Sequence, residues 1–446
     1  EPGLSAGDLV SVQGTVHESH GETQLFMEEM QITAANQPLP QPVELALPAD
    51  GEESFYYYEA LEGMLVQVSE TLKAVSPTNK YGETALVPVS YDIDHLMQGD
   101  ENGMAIRLDD GSFVTHTDQA SMPYAIVTGD LISGLHGPLA YNYGYYKIEP
   151  LNPPEIVHQT AALPQLPPTA DNQVRVMSWN VENLFDFLMP HPTDPALPTV
   201  AEYRAWLEKV AKTILLADAP VVIGFQEVEH IGVLEDLAAT AQIAGLGYQA
   251  VLMEGTDSRG IDVGYLVRGD ARIVSVQQFP APEELTSRPP LLLEVQIDLA
   301  GGTQTLFLLN NHFLSMSGGE QATEPRRVAQ AVWNEGLVDQ IQRDHSGAQV
   351  IVMGDLNSYY DSPPIDALRA AGLVDSFDFL EPEERYTYIY QGIAQVLDHI
   401  LANEKLAPKI LRVDILHTNA DYPLQPPGDT SVLHKSDHDP LVVTFQ

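Results

Sequence analysis

Hydrophobic and polar positions change rhythm twice along this chain. Up to about residue 150 they alternate in short runs, as in Leu61-Glu62-Gly63-Met64-Leu65-Val66-Gln67-Val68, broken by Gly, Asn and Asp. A period of two puts every second side chain on one face of a strand, so this region reads as all-β. Six prolines then fall between residues 150 and 170 with no periodicity around them. Sequence of that kind stays extended and separates domains. From Val174 onward, apolar runs at 174–179, 221–225, 306–310 and 350–353 interleave with helical spacing over 200–216 and 326–341. Strands alternating with helices predict an α/β domain. The expected division is 1–50 and 51–150 as two β units, 151–170 as a linker, and 171–446 as the α/β domain.

The β region carries a repeat. Gly7-Asp8-Leu9-Val10-Ser11 recurs as Gly129-Asp130-Leu131-Ile132-Ser133, each followed by a glycine-bounded turn and a second strand, 23–27 and 145–148. Sequence from about Phe55 precedes the second copy, whereas the first begins at residue 7, so the chain is expected to start inside its first unit. Small β units with such turns are expected to be OB-like barrels, the first of them partial. Tyr56-Tyr57-Tyr58 and Tyr141, Tyr143, Tyr145 and Tyr146 read either as a stacking platform for single strands or as ordinary pleat filler.

Charge narrows the function. The 446 residues hold 63 Asp and Glu against 21 Lys and Arg, a net charge of −42. A protein that coats nucleic acid through excess cations is excluded, because few are present to release counterions from phosphate. Such a shell reads as adaptation to salty water or as a demand for divalent cations. No apolar run reaches the length of a membrane-spanning helix. No cationic start followed by an apolar core opens the chain, so a signal peptide is expected to be already removed from an exported protein. The absence of cysteine excludes thiol catalysis and thiolate metal sites, leaving carboxylate, histidine and amide ligands.

Polar residues repeatedly end the apolar runs of the second half. They are Ser178-Trp179-Asn180-Val181-Glu182-Asn183, Phe225-Gln226-Glu227-Val228, Leu309-Asn310-Asn311-His312 and Gly354-Asp355-Leu356-Asn357, then Val396-Leu397-Asp398-His399 and Ser436-Asp437-His438-Asp439-Pro440. A lone strand-end Asn or Asp is usually a turn former. Six such ends converge on one edge of an α/β sandwich, where sites assemble.

In this order the motifs resemble those of the endonuclease/exonuclease/phosphatase superfamily, which includes DNase I-like and exonuclease III-like enzymes. The likeness runs from about Val174 to the C-terminus. With its β-rich first region the chain is similar to bacterial extracellular endonucleases of the ExeM/NucH type. The resemblance implies an α/β, four-layer β-sandwich, two mixed β-sheets flanked by helices, with the site at one end. It implies metal-assisted phosphodiester hydrolysis, with Mg²⁺ or Mn²⁺ held by Asn180 and Glu227, Asp437 completing the set and Glu182 as an outer ligand. His438 is implied as general base, oriented by Asp398. Asp355 aligns the attacking water or is itself the base, and the Asn357 amide serves the phosphoryl oxygen. His312 is implied on the phosphate or the departing oxygen, and His399 reads as structural. The run after His312 lacks the lysines usual in extracellular relatives, which leaves Arg326 and Arg327, expected on the first turn of a helix after Pro325, to clamp backbone phosphate. Acid-rich loops make structural Ca²⁺ a further expectation.

The function so implied is a secreted or periplasmic, salt-tolerant nuclease acting on DNA, with RNA as a further substrate. It would show little sequence preference and leave 5′-phosphate and 3′-hydroxyl ends, and the sequence points to no protein partner. Two alternatives stay open: a metal-dependent phosphoesterase acting on phospholipid or a small phosphate ester, and a non-catalytic β-domain binding protein.

Overall fold

The computed structural model describes residues 3–48, 51–100, 102–159, 162–282 and 285–446; Glu1 and Asp50, at expected unit boundaries, lie outside them. The chain divides into two compact units, residues 1–161 with the segments 391–393 and 422–424, and the remaining residues from 162 onward.

In the first unit both repeat copies make a hairpin, Leu9–Ser19 with Glu22–Ala34 and His136–Asn142 with Tyr145–Ile148. Their turns match. His20 and Gly21 have φ of 55° and 85°, and Tyr143 and Gly144 have 52° and 91°, the left-handed pair that a two-residue hairpin turn requires. The second hairpin also belongs to a larger ring of strands. Leu131–Ser133, just ahead of His136–Asn142, pairs with Leu72–Ala74, which pairs with Glu83–Pro88. Glu83–Pro88 then pairs with Ile106–Asp109, which meets Tyr145–Ile148 in parallel. Leu72, Leu86, Ile106, Leu108, Ile132 and Leu139 share its core. The Tyr56-Tyr57-Tyr58 run is not a strand but part of the helix Gly51–Glu59. Tyr58 and Tyr146 are buried with ring centroids 5.2 Å apart, so these two rings fill the core and do not form an open platform.

The proline-rich stretch is docked on both sides of the undescribed residues 160 and 161 and is not a free spacer. Glu155–Val157 pairs with Leu131–Ser133, and buried Leu166 donates its N–H to Leu216 O at 2.9 Å. Proline removes one donor and leaves its neighbours able to pair along an edge.

Two six-stranded sheets form the second unit. One runs Gln249–Leu252, Asp262–Val267, Val222–Val228, Val174–Leu184, Leu441–Phe445, Ile410–Ile415. The other runs Ala271–Gln278, Leu291–Leu299, Gly302–His312, Gln349–Asp355, Asp398–Asn403, Leu373–Asp375. Both are mixed: Val174–Leu184 is parallel to Val222–Val228 and antiparallel to Leu441–Phe445, and Gln349–Asp355 is parallel to Gly302–His312 and antiparallel to Asp398–Asn403. Val176, Val222 and Val443 meet Leu308, Ile351 and Ile400 in the core between the sheets. The outer face of the first sheet packs on Val200–Leu216 and Ile231–Ala238, and that of the second on Glu320–Asp344 and Pro363–Ala370. Helix, sheet, sheet, helix gives the four layers expected. Val200–Leu216 starts where a capping box predicts, with Thr199 and Glu202 each bonding the other's backbone N–H.

One polar clamp joins the sheets. Asn310 donates to Phe225 O at 3.0 Å and Gly264 O at 2.9 Å, and its Oδ1 accepts from Gln226 Nε2 at 2.8 Å, all buried. Asn310→Leu removes a buried partner from Phe225 O and Gly264 O and leaves Gln226 Nε2 only its 3.4 Å contact with Ser178 Oγ, at a cost of about 1–3 kcal/mol for each group left unpaired. Urea unfolding is expected to register a loss of several kcal/mol; a midpoint equal to wild type would show that the clamp does not stabilise the sandwich.

Candidate active site

Period-two alternation carries each inward-facing row from apolar to polar at the same end of the sandwich. Val174 and Val176 lead to Asn180, Leu306 and Leu308 to Asn310 and His312, Ile351 and Met353 to Asp355, and Ala402 and Ile400 back to Asp398. The two sheets meet there: Asn180 Nδ2 donates to Asp355 Oδ2 at 3.0 Å.

Strand parity alone would misplace Glu227, two residues from Phe225, whose ring lies under the helices. The register breaks between Phe225 and Val228, and Glu227 takes a left-handed φ of 63°. Its carboxylate instead lines the pocket, accepting from Asn183 N at 3.0 Å and Arg259 Nη2 at 3.1 Å. Glu182, Asn183 and Asn357 also have positive φ, 45°, 42° and 45°. Such backbone in non-glycine residues is uncommon and collects at functional sites.

The result is an open pocket of about 800 Å³. It is lined by eight of the residues named from sequence: Asn180, Glu182, Glu227, His312, Asp355, Asn357, Asp437 and His438. Asp398 stands behind them, wholly buried, accepting from His438 Nδ1 and Thr387 Oγ1, both at 2.7 Å. The late loop is pinned to the first strand: Trp179 Nε1 donates to His438 O at 2.9 Å and Ser436 Oγ to Asn180 O at 2.7 Å.

Burial and like charge set the electrostatics. Burial pushes the Asp355 carboxyl up to about 7, helped by Asp398 and opposed by His438. For His438 burial favours the neutral ring, yet Asp398, Asp437 and Asp355 together outweigh it and hold the imidazolium well above the usual histidine range. His312 goes the other way. Burial, with Arg288 and Arg259 nearby, drives it well below that range, so the ring is neutral. Its Nε2 lies 3.4 Å from Asp355 Oδ2 and 3.8 Å from Glu227 Oε1. A neutral His312 suits hydrogen bonding rather than delivering a proton to a leaving group.

The structure does not bring Arg326 and Arg327 into the pocket. Their helix begins at Glu320, so Pro325 lies inside it and the pair falls beyond its first turn. Arg327 is buried and donates to Thr323 Oγ1 at 2.6 Å, and Arg326 Nε donates to Leu285 O at 2.9 Å. His399 is structural, as expected, its ring bonded to Asp375 at 2.8 Å and Ser358 O at 2.9 Å.

Sequence reading missed four pocket neighbours. Lys435, beside the Ser-Asp-His motif, is buried, and its Nζ donates to Val181 O at 2.8 Å and Glu182 O at 3.4 Å, bracing the left-handed turn. Tyr388 covers the His438 ring, with centroids 4.7 Å apart. Arg259 and Arg288 come from loops without strand or helix periodicity, so no pattern marked them.

The donor set fits a hard divalent cation. Glu182, Glu227, Asp437 and the Asn180 amide all border one pocket. The Glu182 side chain is exposed and borders the pocket, and its protein surroundings, with the Asp437 and Glu227 carboxylates, push its carboxyl above the usual range. Crowded carboxylate oxygens of this kind are what Mg²⁺ or Mn²⁺ neutralises. Asp355, Asp398 and His438 also cluster tightly, but His438 and Asp398 already bond each other at 2.7 Å. A further cluster, Asp186, Glu229 and His230, is occupied by its own contacts: Asp186 accepts from Leu188 N and lies 3.3 Å from His230 Nε2, and Glu229 accepts from Asp186 N.

A family model described as the endonuclease/exonuclease/phosphatase family matches residues 175–414, and one described as a domain of unknown function (DUF8508) matches 44–159. Comparison with curated protein sequences finds no match. Similar solved structures include truncated TDP2 of Caenorhabditis elegans, 19% identical over 62% of this chain and 98% of that one, TM-score 0.43. The human Nocturnin catalytic domain with bound sulfate anion is 18% identical over 62% and 94%, TM-score 0.42. An endonuclease/exonuclease/phosphatase family protein from Bacteroides thetaiotaomicron is 17% identical over 62% and 96%, TM-score 0.44.

Proposed function

The chain belongs to the endonuclease/exonuclease/phosphatase family, and from that premise we propose that it is a metal-dependent nuclease that hydrolyses DNA, with RNA as a further substrate and with little sequence preference. The observation that carries this reading is the Asn180–Asp355 contact across the two sheets, which joins the metal-side residues to the proton-handling ones in one pocket. Glu227 and Asn180, with Asp437 and Glu182 beside them, would hold a divalent cation, which would supply charge neutralisation at the phosphate.

The chain's own groups do the rest. Asp355, with its carboxyl near 7, is the proton acceptor for the attacking water. Its Oδ1 is fixed by Asn357 N at 2.8 Å and its Oδ2 by Asn180. Protonated His438, oriented by Asp398, donates to the phosphoryl oxygens as negative charge builds. The Asn357 amide and neutral His312 add hydrogen bonds on either side. Water oxygen bonds to phosphorus as its proton passes to Asp355, the P–O3′ bond breaks, and the departing 3′-oxygen takes a proton from solvent in the open pocket to leave as a hydroxyl beside a 5′-phosphate.

The strongly acidic surface supports a secreted enzyme working in salt. Its field opposes a polyanion most at low ionic strength, where the Debye length is about 30 Å at 0.01 M, and least at 1 M, where it is about 3 Å. Initial rates on supercoiled plasmid with saturating Mg²⁺ are expected to hold or rise up to roughly half-molar to molar NaCl, the range over which this screening is nearly complete. A steep monotonic fall from the lowest salt would refute the salt-adapted reading. Hydrolysis of p-nitrophenyl phosphate or phospholipid, with intact plasmid, would refute the nuclease reading itself.

A further inference from the structure

The pocket reads a polyanion through very few cations. Among the described residues that line it, the arginines are Arg259 and Arg288, and no lysine is present. Arg288 is already committed: it is buried, pairs with Asp257, and donates from Nε to His312 O at 3.3 Å and from Nη2 to Phe313 O at 3.0 Å. It holds the end of the histidine strand in place. Arg259 is different. Its side chain is 45% exposed, bonds Glu227 through Nη2 at 3.1 Å, and otherwise has Asp257 Oδ1 3.9 Å from its Nε. A guanidinium offers five N–H donors in a fork that matches phosphate oxygens, so most of its capacity is uncommitted.

The loop that presents Arg259 is braced. Gly255 N donates to Asp262 Oδ1 at 2.7 Å, Thr256 N to Ser287 O at 2.8 Å, Arg259 N to Asp257 Oδ1 at 2.9 Å and Gly260 N to Asp257 O at 3.0 Å. A residue set on such a loop meets its ligand with little ordering cost. The role expected of Arg326 and Arg327 is vacant, because both lie outside the pocket. We propose that Arg259 is the substrate-binding residue that grips a backbone phosphate of the DNA substrate, beside Glu227. This rests on the nuclease reading of the same pocket. It also explains how a chain of net charge −42 engages DNA: one forked cation at the mouth acts within a Debye length, where the repulsive field of the outer shell is screened in salt.

The test is steady-state cleavage of a duplex oligonucleotide at saturating Mg²⁺ across a NaCl series, for wild type, Arg259→Ala, Arg259→Lys and Arg343→Ala. Arg343 is an exposed arginine at the far end of the helix Glu320–Asp344 and serves as the control. Loss of a charge-assisted phosphate contact is expected to raise KM about 10-fold or more with a smaller change in kcat. The slope of log(kcat/KM) against log[NaCl] is expected to become more positive by about 0.9, the counterion equivalent of one duplex phosphate contact. Arg259→Lys restores the slope but only part of KM, since a point charge lacks the fork, and Arg343→Ala matches wild type in both. A merely structural arginine would not move the salt slope. Wild-type KM and slope in Arg259→Ala, while wild type cleaves DNA, would overturn the proposal and leave the nuclease reading standing. A wild type that leaves DNA intact would remove both.

Discussion

His438→Ala is expected to lower kcat by about 10²–10⁴-fold with little change in KM, because the group acts on charge that develops only in the transition state. Asp355→Asn is expected to fall in the same range. The double variant should lose little more than the worse single one, since residues that act as a unit are strongly non-additive. The geometry behind this is one connected set, Asn180 to Asp355 at 3.0 Å and Asp398 to His438 at 2.7 Å, all at one end of the sandwich. The pH profile separates the two roles. Asp355 accepts a proton only when ionised, so with its carboxyl near 7 the rate rises with pH through neutrality. His438 donates only when protonated, and its carboxylate neighbours hold it so well above the usual histidine range; the rate therefore falls on the alkaline side. The two limbs belong to the coupled set rather than to either residue alone. Near-wild-type kcat in folded His438→Ala would remove that residue from the mechanism, and a profile that falls as pH rises from 6 to 7.5 would reverse the assignment of Asp355.

Removal of divalent metal is expected to abolish turnover, and Mg²⁺ or Mn²⁺ to restore it. Glu227→Gln should weaken the ion by at least about 10–100-fold, the range seen even for groups that only support a ligand. Titration of Mn²⁺ followed by its electron paramagnetic resonance signal reads this without any turnover. Asp437→Asn and Glu182→Gln should weaken it less, because each borders the pocket with its carboxylate open to solvent, whereas Glu227 is largely buried and held by Asn183 N. Unchanged Mn²⁺ affinity in Glu227→Gln would move the metal elsewhere, and full activity after exhaustive chelation would end the metal-assisted reading.

The alternation of residues along each strand determined a good deal by itself. It set the α/β character of the second unit, four of its central strands and the inward side of Asn180, His312 and Asp355, since a period of two fixes the face once the apolar residues are buried. The Gly-Asp repeat likewise specified two hairpins, because the left-handed pairs His20-Gly21 and Tyr143-Gly144 encode their turns locally. Tertiary structure alone decided the rest. Tyr56 to Tyr58 became helix because Tyr58 packs into a core built by distant strands, and local propensity yields to such burial. Glu227 reached the pocket through a register break that no period foretells. Arg326 and Arg327 were drawn away when their helix started earlier, at Glu320, and Arg259 took a place at the pocket mouth from a loop. Loop and cap positions are set by contacts between residues far apart in the chain, so a lone sequence shows which chemistry is present but not which cation will face it.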